Sequence, residues 1–95
     1  MKPMTKITNF DAAKYLDGKE TIVTYLKVAF EENDAALIRT ALNDVARAKG
    51  MTAVAAESKI TRQALYKALG PNGNMTLETL LGVLRAMGVR LSVSG

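Results

Sequence analysis

The sequence predicts an all-α domain: a compact bundle of about five to six helices with a short β-strand at its C-terminal end. Apolar residues recur three and four positions apart through most of the 95 residues, which is the spacing of one helix face. Several of these stretches follow Asp or Thr and end at Gly, the residues that favour helix starts and stops. Only residues 89–95 alternate apolar and polar side chains, a pattern typical of a strand.

The N-terminal third predicts a tail and two short helices. Residues 1–9 show no periodicity and are expected to be a flexible tail. Residues 10–32 hold the helices, of which the first runs from Asp11 to Leu16 and stops at the Asp17-Gly18 turn pair. The second runs from Glu20 to Glu31, and its expected apolar face consists of Ile22, Val23, Leu26, Ala29 and Phe30.

Residues 33–88 form the expected core of the single domain 1–95. Its longest helix follows a cap at Asn33 or Asp34 and ends at Lys49-Gly50, while its last helix follows a cap at Thr76 and ends at Gly88. The residues expected to face inward are Leu37, Ile38, Ala41, Leu42, Val45 and Ala46 in the first of these helices, and Leu77, Leu80, Leu81, Leu84 and Met87 in the last.

Between these helices, Met51 to Gly70 is predicted to form two short helices joined by a tight turn. Thr52 is expected to cap the first helix and Thr61 the second, which runs to about Leu69. The expected inward residues are Ala64, Leu65 and Ala68, with Ile60 filling the turn. This is the layout of a helix-turn-helix, in which the second helix enters the DNA major groove.

The outward side chains of the second helix suit DNA. Arg62 and Lys67 can pair with guanine edges or phosphates, and Gln63 can make a two-point contact with adenine. Tyr66 can cover apolar surface with its ring while its hydroxyl reaches a phosphate. Any surface helix carries such residues, but here no acid occurs between Lys59 and Gly70. The predicted DNA-binding residues are Thr52, Lys59, Thr61, Arg62, Gln63, Tyr66, Lys67 and Asn74.

The charge of the chain is unevenly distributed. The net charge is +4, but residues 11–34 contain six acids against three lysines. Residues 35–95 contain eight bases against three acids, and this part includes the candidate DNA-reading unit. The acidic segment suits a surface for a basic protein partner, and it equally fits a solvated helix face.

The composition excludes several classes of function. Because the chain has no Cys and no His, it cannot form disulfides, use His in acid–base catalysis or build a zinc site on those ligands. These absences leave a carboxylate-only metal or hydrolytic site as an alternative. Because the sequence shows neither a nucleophile–base pair nor metal-ligand spacing, we predict no catalytic residues, no metal, no cofactor and no enzymatic activity. No apolar run is long enough to cross a bilayer, so a cytoplasmic protein without a membrane partner is expected.

The predicted strand at residues 89–95 has no partner strand in the sequence. A strand must pair its backbone groups with another strand, and a second copy of the chain is the obvious candidate. We therefore expect a homodimer with Leu91 and Val93 at the interface.

A resemblance to known proteins sharpens these predictions. Ala55, Ile60 and Leu65 stand at the fixed offsets of the phage-repressor type of helix-turn-helix, which the Met51–Gly70 segment resembles. Over about nine-tenths of its length, the chain is similar to HigA-like addiction-module antidote proteins of bacteria and prophages. The similarity is carried by Phe10–Leu16 with Asp17, Tyr25-Leu26, Ala41–Met51, Ala64–Leu69 and Gly73–Val93.

The resemblance implies a DNA-binding antitoxin of a type II toxin-antitoxin module, which neutralises a RelE/ParE-like toxin and represses its own operon. A prophage-type transcriptional regulator without a toxin and a protein–protein adaptor remain as alternatives. The sequence departs from the family pattern at two positions. Lys59 occupies the turn position usually held by glycine, and Met75 stands where the family favours proline. Lys59 must therefore adopt a left-handed conformation or reshape the turn.

Overall fold

The computed structural model describes residues 11–95, and all the regular secondary structure in this part of the chain is helical. The predicted all-α class is therefore confirmed, whereas the predicted tail at residues 1–9 lies outside the described residues. The elements are a 3₁₀ helix (Ala12–Tyr15), α1 (Lys19–Glu31), α2 (Ala35–Lys49), α3 (Met51–Ser58), α4 (Arg62–Leu69) and α5 (Leu77–Ala86).

Helix α2 is the centre of the packing, because the 3₁₀ helix, α1, α3 and α4 all pack against it, while α5 packs against α3. Its start is fixed by Asp34, whose carboxylate accepts hydrogen bonds from the backbone N–H groups of Ala36 and Leu37 at 2.9 and 3.3 Å. Of the two predicted caps, Asp34 is thus the correct one. Asn33 instead reverses the chain before it, with a positive φ of 55°.

The core is apolar and draws on all five α-helices. Its largest fully buried side chains come from four successive helices and are Leu42, Val45, Val54, Leu65 and Val83. Burying a side chain of this size stabilises the fold by about 1.5–3 kcal/mol. Helix α1 contributes Ile22, Leu26 and Ala29, so three of its five predicted inward residues are buried.

The predicted apolar stripe of α5 is partly wrong. Leu77 and Leu81 are 63% and 41% exposed, whereas Val83 is fully buried. The stripe that packs against the core is Leu80, Val83, Leu84 and Met87, which keeps the spacing of three and four residues. In α4, similarly, Ala64 is exposed and Leu65 and Leu69 are the buried residues.

The predicted C-terminal strand is wrong. Residues 89–95 have no regular secondary structure, and no strand occurs anywhere between residues 11 and 95. Val89 packs against the core, and its N–H donates to the carbonyl of Leu84 at 3.0 Å. Beyond Val89 the alternating side chains lack a buried surface to face, since Leu91 is exposed and Val93 is 96% exposed. Alternation alone cannot hold a strand without a neighbouring strand to pair with.

A polar network fastens the N-terminal elements to α2. The Tyr25 hydroxyl donates to the buried carboxylate of Asp44 at 2.5 Å, and Arg47 donates to the same carboxylate at 2.8 Å. Arg47 also pairs with Asp11 at 3.0 Å. Burial, and then the hydrogen bond to Asp44, raise the pKa of Tyr25 to about 12. Asp44 is thus a buried acid with two donors, which limits the cost of its burial.

The turn between α3 and α4 shows which of the two predicted alternatives applies to Lys59. This residue takes the left-handed conformation, with φ of 62° and ψ of 38°. Its N–H donates to the carbonyl of Ala56 at 3.2 Å, and the N–H of Ile60 donates to that of Ala55 at 3.1 Å. These two bonds make a Schellman motif, the helix ending that usually requires glycine.

No helix within residues 11–95 combines the length and the apolar character needed to cross a membrane.

We expect Lys59→Gly to raise the free energy of unfolding by roughly 0.5–1 kcal/mol, because glycine adopts this conformation without the strain caused by a Cβ. Chemical denaturation would measure the change. Lys59→Ala is the matched control, since it removes the charge and keeps the Cβ. An equal stabilisation by Lys59→Ala would show that charge, not backbone strain, is responsible.

Candidate nucleic-acid interface

Helix α4 presents one anchored face and one exposed face. Its start is capped by Thr61, whose hydroxyl oxygen accepts from the backbone N–H of Ala64 at 2.9 Å. Leu65 and Leu69 anchor the helix in the core. Positions three and four apart lie on one side of a helix, so Arg62 and Tyr66 share the face that remains outside.

Arg62 is held by contacts from both short helices. Its Nη1 donates to the hydroxyl of Thr52 on α3 at 3.3 Å, and its Nη2 donates to the hydroxyl of Tyr66 on α4 at 3.0 Å. The guanidinium also lies over the Tyr66 ring, with 5.4 Å between its carbon and the ring centroid. Three of the predicted DNA-binding residues are therefore brought together into one cluster.

The predicted role of Thr52 as a helix cap is wrong. Helix α3 starts at Met51, which precedes Thr52, and it follows directly after Gly50, the boundary residue of both α2 and α3. Gly50 has a φ of 103°, a conformation that favours glycine and lets the chain turn between the two helices without a side-chain cap. The hydroxyl of Thr52 is consequently available for Arg62.

Besides the cap Thr61, the other predicted DNA-binding residues are exposed on α4 or in the segments before and after it. Gln63 and Lys67 lie on α4, Lys59 lies in the turn before it, and Asn74 lies in the loop after it. Between residues 59 and 70 the chain carries three bases and no acid. This surface is suited to a polyanion on electrostatic grounds.

The loop after α4 is fixed by close backbone contacts. A Cβ on Gly73 would lie 2.1 Å from the carbonyl oxygen of Ala68, so this position requires glycine. Arg39 on α2 donates to the carbonyl of Pro71 at 3.2 Å, and Thr76 caps α5 by accepting from the N–H of Thr79 at 3.1 Å. These contacts define the path of the loop that carries Asn74.

Two supporting contacts escaped prediction from the sequence. Arg39 on α2 is half-buried and reaches the loop 32 residues further along the chain. No local sequence pattern predicts a contact between residues so far apart along the chain. Asp44 and Arg47 stand three residues apart on α2, a spacing that permits an ion pair, so that pair was detectable.

The two residues predicted at a dimer interface, Leu91 and Val93, are both exposed on the C-terminal tail. Their exposure is compatible with contact to another molecule, although the strand that was expected to make that contact is missing from residues 89–95.

Comparison with known proteins identifies a family and a relative of this chain. Residues 6–95 match the model of a family described as "Probable addiction module antidote protein". An uncharacterized protein of Haemophilus influenzae is 38% identical over 88 residues, which cover 93% of this chain and 91% of the relative. No solved structure matches the chain significantly.

Proposed function

Because the chain belongs to the addiction module antidote family, we propose that it is the antitoxin of a type II toxin-antitoxin module. An antidote of such a module requires a toxin as its partner. In this proposal the partner is a RelE/ParE-like toxin, in keeping with the resemblance of the sequence to HigA-like antidotes. The same chain represses its own operon by binding double-stranded DNA.

The DNA-binding part of the proposal is supported by the α3–α4 pair. Two helices of eight residues each are joined by a short turn, as a helix-turn-helix requires. The exposed face of the second helix begins with Arg62, and that arginine is held at the helix start by Thr52 and Tyr66. The held arginine is the single observation that carries the proposal, because arginine is the commonest reader of guanine in the major groove.

The toxin-binding part rests on charge and on the separation of the elements. The acidic segment of residues 11–34 forms the 3₁₀ helix and α1, both of which pack on α2. The candidate DNA-binding residues lie on other elements. A basic toxin could therefore bind the acidic elements while α4 remains free for DNA.

A homodimer is part of the proposal, since two copies of α4 would read the two half-sites of a near-palindromic operator. The exposed apolar side chains of Leu91 and Val93 are the proposed contacts between copies. Sedimentation of the full chain should give a dimer mass, and replacing both residues with Ser should give monomers. A dimer mass for the doubly substituted chain would show that the C-terminal tail does not form the interface between the two copies.

We propose no catalytic role and no cofactor for this protein. The two proposed partners, DNA and an intracellular toxin, imply that the protein acts in the cytoplasm. The alternative function is a prophage-type transcriptional regulator without a toxin, which would use the same α3–α4 pair in the same way.

We expect Arg62→Ala to weaken operator binding by about 1–3 kcal/mol and to relax the choice of base at one position of the half-site. Titration of the promoter duplex and of a scrambled duplex would measure both effects. Lys27→Ala is the matched control, because it also removes one exposed positive charge but lies on α1. Equal losses of affinity for the promoter duplex in the two variants would show that Arg62 contributes only its positive charge.

The proposed toxin partner can be tested by expressing the product of the neighbouring reading frame with and without this chain. The neighbouring product should arrest growth alone, and the wild-type chain should restore growth and purify together with it. A neighbour that causes no arrest, combined with intact DNA binding, would favour the regulator without a toxin.

A further inference from the structure

We propose that Tyr66 and Thr52 are positioning residues that hold Arg62 for contact with a guanine edge, rather than independent contacts to the DNA backbone. The inference rests on the proposed DNA-binding function. It replaces the sequence-based expectation that the Tyr66 hydroxyl reaches a phosphate.

The contacts converge on one guanidinium from two directions. Thr52 accepts from Nη1 at 3.3 Å, and Tyr66 accepts from Nη2 at 3.0 Å. Tyr66 lies four residues after Arg62, one turn further along α4, and its ring lies beneath the guanidinium at 5.4 Å. An exposed arginine ordinarily samples many rotamers. Here two hydroxyls and one ring favour a single arrangement at the first residue of α4 before DNA arrives.

The held guanidinium keeps enough donors to read a base. An arginine has five N–H donors, and the two intramolecular bonds occupy two of them. The remaining donors suffice for a two-point contact with O6 and N7 of guanine. Both hydroxyls, by contrast, are already engaged as acceptors. A neutral hydroxyl can still donate its own hydrogen, so a direct phosphate contact by Tyr66 is the competing arrangement.

The positioning role and the direct phosphate contact of Tyr66 predict different DNA affinities when substitutions of Tyr66 and Arg62 are combined. If Tyr66 acts through Arg62, removing its hydroxyl does not change the affinity for DNA when Arg62 has already been replaced. If Tyr66 binds a phosphate by itself, removing its hydroxyl weakens binding equally whether or not Arg62 is present. A double-mutant cycle separates these cases, because it measures the coupling of two residues directly.

The probe is the tightest-binding duplex that the wild-type chain selects from a random-sequence library, with a scrambled duplex of the same length beside it. Four proteins complete the cycle: wild type, Tyr66→Phe, Arg62→Ala and the double variant. We expect Tyr66→Phe to weaken binding of the selected duplex about 3- to 10-fold, the range for one lost hydrogen bond. Binding of the scrambled duplex should change little. In the Arg62→Ala background, Tyr66→Phe should have no further effect.

Thr52 provides an independent check with a matched pair of variants. Thr52→Val removes the hydroxyl and keeps the branched shape, so it should lower affinity for the selected duplex. Thr52→Ser keeps the hydroxyl and should restore near-wild-type affinity. Because Thr52 and Tyr66 are both exposed, these variants should leave the melting temperature unchanged, which excludes loss of folding as the cause.

Two results would overturn the inference in distinguishable ways. Equal losses from Tyr66→Phe with and without Arg62 would show that Tyr66 contacts DNA directly, and the proposed function would stand. A wild-type chain that prefers no selected duplex over the scrambled one would refute DNA reading itself, and this inference with it.

Discussion

The left-handed backbone of Lys59 is the constraint on which the candidate interface depends. It closes α3 with the two bonds of the Schellman motif and redirects the chain within three residues, so that Thr61 can cap α4. Without that reversal, Thr52 on α3 and Arg62 on α4 would not meet. Lysine at this position retains a basic side chain beside α4 at some cost in backbone strain. A glycine would lower the strain and lose that charge.

Local signals in the sequence predicted the local features well. The caps Thr61 and Thr76 were predicted correctly, and Asp34 was one of two predicted alternatives. Each of these caps depends on a side chain bonding to a backbone N–H two or three residues away. The conformation of Lys59 was one of two stated alternatives. The departure from glycine at that position identified where strain would occur.

Features that depend on distant contacts were predicted less well. Leu77 and Leu81 satisfy a helical spacing, but α5 meets α3 through the face of Gly82 and Val83, which leaves both leucines outside. The C-terminal alternation implied a strand, yet residues 89–95 have no neighbouring strand to pair with. The cluster of Thr52, Arg62 and Tyr66 was predicted only as separate residues. Its assembly requires the orientation of two helices, which no spacing along the chain specifies.

The proposed division of labour between acidic and basic elements is the central claim, and a separation-of-function variant tests it most directly. Arg62→Ala should weaken specific repression of the operon while it still restores growth to cells that express the toxin, because Arg62 lies on α4 and the acidic elements are unchanged. Both readouts can be taken in one strain with a promoter fusion. A folded Arg62→Ala protein that loses repression and neutralisation together would contradict the claim that two surfaces serve the two partners.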